Sequence, residues 1–303
     1  MTKHNCRFCN AEPSLQSIKG ECVYGGTSEQ HFWKCDVCKM IYLVPPLSDE
    51  EELSFYKKEF GKYMEKRTGQ DKDWSSPEKH FVSNQQEAER RMSFLAPYLT
   101  EGQKILEIGC SSGFMLSSLK DKGMDVYGLD PSEVFIEYVK SKGVHIYKKF
   151  EELREKHDLV FDLIIHYYVL EHIGNPVEFT NQYMSLLNDN GKMIFEVPCA
   201  TDPLIELYKA PAFNKFYWSV AHNWYFNRES LTSLLKKTGY SFELFPEQRY
   251  DISNHMTWML EGKPGGMGKY NHVFGEELDI LYKRQMKKHW FCDTIIAVVK
   301  TIK

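Results

Sequence analysis

No apolar run approaches the ~18 residues that a membrane-crossing helix needs, so none is expected. The opening residues, MTKHNCRFCN, lack the apolar core of a secretory leader. Positive charge is not in excess. The 38 Lys and Arg face 42 Asp and Glu, and a formal net charge of −4 counts against a nucleic-acid surface. The chain has no internal repeat, no low-complexity tract and no long block of like charge. The acidic cluster Asp49–Glu52 reads as a helix start favoured by the helix dipole. What the chain does have is apolar and aromatic content, 42% and 14% over 303 residues. That suffices for one large or two unequal domains.

Eight cysteines are present, but their spacing is not that of a disulfide framework, and a cytoplasmic, reducing compartment is expected. Cys6 and Cys9 form one C-x-x-C pair, and Cys35 and Cys38 form another. Two such knuckles supply four thiolates that can converge on one tetrahedral Zn²⁺. A redox C-x-x-C would not come as a matched pair. Four protein ligands close the site, so the zinc is expected to be structural. A ribbon over residues 1–46 is too small to bury enough surface alone, and metal binding would supply the missing folding energy. Cys22 lies between the knuckles and has no partner at ligand spacing.

Val44-Pro45-Pro46 ends the ribbon. Ser48 with Glu51 predicts a capping box and a helix over 49–60. Residues 61–82 read as an irregular, lid-like linker. Ser83 with Gln86 predicts a second capping box, and Ala88, Met92, Leu95 and Leu99 give helical spacing over 84–98. Residues 47–100 are thus a helical linker or lid. From there strands and helices alternate: strands at 103–108, 125–129, 144–147, 160–166 and 192–197, helices at 112–121, 132–141, 177–187 and 229–237. This rhythm predicts an α/β domain over 101–303, with a doubly wound, mostly parallel seven-stranded sheet. Strands 240–245 and 293–299 would form a terminal antiparallel pair. The residues between them, 247–291, are an insertion with a helix expected at 276–288. Its loop Lys263–Gly268 is read as a flexible turn rather than a phosphate cradle.

The organising stretch is Lys104–Leu116, KILEIGCSSGFML. It reads as a buried strand, a glycine turn and a helix start. Free N–H groups at that helix N-terminus face whatever binds there. Glu107 ends the strand, and Asp130 ends the next one, at the offset where an acid accepts hydrogen bonds from a ribose. Glu107, Gly109 and Gly113 resemble the first motif of class I S-adenosylmethionine-dependent methyltransferases, with Ser111 in place of the usual middle glycine. The resemblance implies that Cys110 and Ser111 line the cofactor loop, that Pro131 and Ser132 lie against adenosine, and that Phe150 stands where relatives contact adenine, a core role being the alternative. It also implies that the run beginning His166-Tyr167 lines the cofactor's methionine end.

That run continues to Leu170-Glu171-His172, similar to the "LEH" segment of small-molecule members of the family. His172 is a candidate general base with Glu171 as its orienting acid; the alternative is that both cap the next helix. His222 opens HNWYFNRESL, which resembles a segment that the family brings over the active site, and His222 is preferred as the base. A zinc ribbon before this core resembles a bacterial group from sugar and surface-polysaccharide pathways, with CDVCKMIYLVPPLSDEEL at the ribbon's end. In its C-methylating branch a Tyr-x-Glu-His cluster stands where this chain has Ser219, Ala221 and His222. Only the histidine remains, which favours O-methylation. The resemblance implies a sugar, nucleotide sugar or related small molecule as acceptor. An RNA base methyltransferase and a non-catalytic cofactor-binding scaffold remain the alternatives.

Overall fold

The computed structural model describes residues 4–55, 63, 76–156 and 159–301. Two sheets organise them. The larger has seven strands: β4 (Lys104–Ile108), β5 (Asp125–Leu129), β6 (His145–Tyr147), β7 (Phe161–Tyr167), β8 (Leu187–Pro198), β10 (Ser241–Glu247) and β11 (Thr294–Lys300). They lie in the order β10-β11-β8-β7-β4-β5-β6. Strands β4 to β8 run parallel, and β11 lies antiparallel between β8 and β10. The central strands are near-continuous apolar runs because helices cover both faces. Leu106, Ile164 and Phe195 face one core layer, and Ile105, Ile165 and Ile194 face the other. The chain leaves β4 toward β5 and β6, then returns to the other side of β4 as β7. This reversal opens a crevice at the carboxyl ends of β4 and β7, where open α/β sheets bind ligands.

The expected seven-stranded, mostly parallel sheet is present. Strand β8 starts earlier than the apolar run 192–197 because pairing continues back through Asn190-Gly191 to Leu187. The helix before it accordingly ends at Met184. The capping box of Ser48 and Glu51 forms, with the Ser48 amide donating to Glu51 Oε2 at 2.8 Å and the Glu51 amide to Ser48 Oγ at 3.3 Å. The helix it starts is described over Asp49–Ser54; the remainder of 49–60 and most of 61–82 lie outside the described residues. The second expected capping box does not form. Pro77–Ser83 is itself helical, so the Ser83 hydroxyl donates back to the His80 carbonyl at 3.1 Å instead of capping the next helix. That helix, Gln85–Leu95, docks on the large sheet.

The insertion 247–291 folds as two helices, Ile252–Glu261 and Asn271–Lys288, with Gly275 at φ +68° interrupting the second. In the loop between them, the Gly268 amide donates to Asp251 Oδ2 at 2.6 Å, so an aspartate of the same insertion takes that donor.

The smaller sheet holds β1 (Gln16–Gly20), β2 (His31–Cys35), β3 (Ile41–Val44) and β9 (Trp224–Tyr225), antiparallel in that order. Its last strand comes from far along the chain. Ile41 pairs with Tyr225 and Tyr42 with Trp224. The cysteine-bearing ribbon is therefore stitched to the segment that carries His222.

Candidate active site and metal centre

The turn after β4 is built on backbone that other residues would strain. Gly109 has φ +69°, and a Cβ there would sit 2.7 Å from Val169 Cγ2. The loop after β7 can press onto the turn only because that Cβ is missing. Ser111, at the position of the usual middle glycine, also takes a positive φ, +46°. Its amide donates to Asp130 Oδ2 at 2.8 Å, and the Ser132 amide donates to Asp130 Oδ1 at 2.9 Å. Asp130 is thereby fixed across the mouth of the turn. Burial pushes its carboxyl up, opposed by those two amides. Cys110 is buried against Gly128 of β5, where a Cβ would meet its Sγ at 2.8 Å; burial raises its thiol well above the usual range. Pro131 is exposed beside this cluster.

Glu107 is 2% exposed, and its Oε2 has no hydrogen-bond partner among the described residues. Desolvation pushes its carboxyl up to about 8, against the pull of Arg91 and with Asp130 adding to the rise. Helix Pro77–Ser83 also reaches the turn: His80 Nδ1 lies 2.8 Å from Ser112 Oγ.

At the end of β7, His166 packs in the core, stacked on Phe195 at 4.6 Å and edge-on to Phe179. Burial lowers it to about 3, so the ring is neutral. Tyr167 points to the other face, where the Arg91 guanidinium lies 3.9 Å from its ring centre. Phe150 packs edge-on against Tyr183 at 5.0 Å.

The structure brings Glu171, His172 and His222 together. One ligand-capable atom from each lies within 4.8 Å of the other two, and the two imidazoles meet edge to face at 4.8 Å. The backbone enforces this. The Asn223 amide donates to the Glu171 carbonyl at 2.8 Å, Asn223 Nδ2 to the His172 carbonyl at 2.9 Å, and Trp224 Nε1 to the Ile173 carbonyl at 2.8 Å. His172 Nδ1 lies 2.7 Å from the Ala221 carbonyl. A carbonyl only accepts, so Nδ1 carries the proton and a neutral His172 keeps its lone pair on Nε2. Glu171 is buried, neither carboxyl oxygen has a hydrogen-bond partner among the described residues, and desolvation pushes it up to about 8. Its carboxyl is therefore protonated at neutral pH. The trio can take a proton at nitrogen and donate one from the carboxyl.

Three arginines around these residues carried no signal in the sequence, whereas Tyr168 belongs to the run that begins at His166. Arg90 holds both oxygens of the buried Glu196 on β8 at 2.8 and 2.9 Å, and Arg91 Nε adds a contact at 3.2 Å. The pair locks helix Gln85–Leu95 to the sheet beside Tyr167. Tyr168 has φ +58°, and its hydroxyl lies 2.8 Å from Thr294 Oγ1. Arg249 stands over its ring at 4.8 Å.

The four knuckle cysteines converge so that all their sulfurs lie within 4.8 Å of one another. The Cys6–Cys38 and Cys9–Cys35 sulfurs are both 3.7 Å apart. A tetrahedron with Zn–S of about 2.3 Å has S···S edges of about 3.8 Å, so the donor set fits zinc in both chemistry and span. The knuckles repeat one geometry. Asn10 and Lys39, each following the second cysteine, take positive φ, and their amides donate to the carbonyls of Cys6 and Cys35, both at 2.9 Å. Arg7, between the first two cysteines, donates to the Leu43 carbonyl at 3.0 Å and lies over Trp224.

Comparison with known proteins agrees with this architecture. The magnesium protoporphyrin IX methyltransferase of Synechocystis PCC 6803 superposes with a TM-score of 0.51 at 16% identity, covering 84% of this chain and 100% of that one. The plantazolicin methyltransferase BpumL, solved with SAH, gives 0.50 at 15%, covering 83% and 94%. These likenesses show the fold. Among curated proteins, a ubiquinone biosynthesis O-methyltransferase of Maricaulis maris is 32% identical over 108 residues, 33% of this chain and 41% of that protein. A tRNA U34 carboxymethyltransferase of Idiomarina loihiensis is 27% identical over 133 residues, 38% and 40% of the two. The chain thus spans about two fifths of these curated relatives. No helix among the described residues is long and apolar enough to cross a membrane. A family model described as a methyltransferase domain matches residues 79–243, more than half of the 303, and the chain belongs to this family of S-adenosylmethionine-dependent methyltransferases.

Proposed function

We propose that the protein transfers a methyl group from S-adenosylmethionine to a hydroxyl of a sugar, nucleotide sugar or related small molecule. The observation that carries this reading is the Glu171–His172–His222 cluster, set on a loop that packs directly on the glycine turn through Val169. S-adenosylmethionine, when bound, supplies a methyl already activated on a sulfonium. The chain's own residues have three tasks. Asp130, with lone pairs beyond those its two amides use, accepts hydrogen bonds from the ribose. The turn at Gly109, Cys110, Ser111 and Gly113, with Glu107 buried at its base, would hold the cofactor. His172 Nε2, with its tautomer set by the Ala221 carbonyl, takes the proton from the acceptor hydroxyl, in place of the His222 preferred from the sequence, which lies edge-on beside it. The buried Glu171 carboxyl, its pKa raised by desolvation, does not compete for that proton.

Zinc on Cys6, Cys9, Cys35 and Cys38 is part of the same proposal, with a structural role in a ribbon over residues 1–46. A hydroxyl acceptor is favoured over an amine because a neutral amine needs no base. The test is a methyl-transfer assay with ¹³C-labelled S-adenosylmethionine against a panel of sugars, nucleotide sugars and RNA. Label on a sugar oxygen is the expected result. Label on an RNA base, which the tRNA-modifying relative makes worth assaying, would replace this reading.

A further inference from the structure

The start of the insertion puts a cation in the cleft whose donors are mostly unspent. Arg249 follows β10, and β10 runs parallel to β8, so Arg249 stands at the carboxyl edge of the sheet with the glycine turn and the Glu171 cluster. Asp293, which precedes β11, holds it from below. The Arg249 amide donates to Asp293 Oδ2 at 2.8 Å, and Arg249 Nε to Oδ1 at 3.1 Å. Tyr250 N donates to Oδ2 at 3.0 Å and Thr294 Oγ1 to Oδ1 at 2.7 Å, so the carboxylate is saturated by four donors. Only one of the four comes from the guanidinium. Among the described residues the two terminal Nη groups donate to nothing. The ring of Tyr168 lies 4.8 Å from the guanidinium carbon and that of Tyr250 5.0 Å, which leaves the fork lying between aromatic faces. Its side chain is 21% exposed. Glu171, close enough to feel the Arg249 charge, is protonated and does not neutralise it.

We propose that Arg249 is a specificity residue that grips an oxyanion of the methyl acceptor, a carboxylate or a phosphate, through its two Nη groups. A guanidinium already fixed at Nε and flanked by rings loses little freedom on binding, and its planar fork matches a carboxylate or phosphate edge bidentately. This rests on the methyltransferase reading and narrows its acceptor to acidic molecules such as uronates or nucleotide sugars.

The test is calorimetry on the full chain saturated with S-adenosylhomocysteine, titrated with glucuronate, uridine diphosphate glucose and, as the neutral control, methyl glucoside. At least one of the two anions should bind about tenfold or more tightly than the neutral sugar, and which one does so tells carboxylate from phosphate. Arg249→Gln should lose that preference while S-adenosylhomocysteine affinity stays at the wild-type value, which also reports that the variant is folded. Arg249→Lys, which keeps the charge and lacks the fork, should fall between them. Anions binding no better than methyl glucoside to the wild type, or equally well to Arg249→Gln, would overturn the assignment and leave the methyltransferase reading standing. Failure of the wild type to bind S-adenosylhomocysteine would remove both.

Discussion

Two clusters of side chains in this molecule converge by opposite means. The four cysteines and the Glu171–His172–His222 trio each bring their ligand-capable atoms within 4.8 Å. In the cysteine cluster the short range does the positioning. Each C-x-x-C makes its own turn, with Asn10 or Lys39 in the left-handed region, and the two turns need only be placed face to face. In the acid–base cluster almost nothing is local. Glu171 and His172 arrive after β7 and His222 arrives some fifty residues later; Asn223 and Trp224 tie the two segments together. Those same residues lead into β9, which pairs with β3 of the ribbon. The ribbon that carries the cysteines is thus joined through β9 to the segment that carries His222. The difference is also electrical. The cysteines fit a cation that would satisfy every sulfur, whereas the Glu171 carboxyl is kept dry and protonated, with no hydrogen-bond partner among the described residues.

Breaking the cysteine cluster should have the largest reach. Cys35→Ser is expected to lose the metal, measured as zinc per chain, and to loosen β3 against β9. A displacement of about 1 Å at a reacting group can cost about 10²-fold in rate, so kcat should fall although no cysteine touches the acceptor. Full zinc occupancy in this variant would end the assignment of Cys35. Full activity with the zinc lost would show that the ribbon does not brace the cleft.

Asp130→Ala should act mainly on cofactor binding, and it also frees the Ser111 and Ser132 amides. Removing an acceptor from buried hydroxyls costs about 1–3 kcal/mol, so S-adenosylmethionine affinity by calorimetry should weaken roughly ten- to hundredfold. Unchanged affinity would put the ribose elsewhere. A pH series on stability sharpens the electrical contrast. Glu171 is held at about 8 against an ordinary 4.5. The native state therefore keeps a proton that the unfolded chain has released between those values. The stability this group contributes is complete below about 4.5 and is lost as pH rises to about 8. Glu171→Gln lacks that dependence, so its melting temperature relative to wild type should climb across this window, by roughly 2–4 °C for each kcal/mol. A constant offset from pH 5 to about 9 would mean that Glu171 is paired.

The contrast between the clusters also explains what could be read from the sequence. The knuckles, the strands β4, β5 and β7 and the glycine turn are short-range features, written in spacing, apolar runs and positive-φ positions. Strand β5 was legible to the residue because Gly123 and Asp130 bound it. Strand β9 was not, because a two-residue strand has no periodicity and exists only through its partner Ile41-Tyr42. The helices Pro203–Glu206, Pro211–Tyr217 and Ile252–Glu261 escaped for a related reason. The first two are a turn or two long and carry a proline at their start, with an Asp202 cap before the first, as their signal. The third begins at an Asp251 cap in the part of the insertion where no element is expected. Candidate histidines could be named from local motifs, but that His172 and His222 meet edge to face required the fold. Arg249 and Asp293 were invisible because their pairing joins the ends of an insertion 43 residues apart, counting 250–292.

The central claim is that this assembled cluster removes a proton from the acceptor. Single-turnover methyl transfer by His172→Ala and His222→Ala, with preloaded cofactor and the acceptor found in the panel, tests it most directly. A general base contributes about 10²–10⁴ in rate. One of the two variants should lose that much while S-adenosylmethionine affinity stays at the wild-type value. If neither loses tenfold, no histidine of this cluster is the base, and the hydroxyl-acceptor account is contradicted.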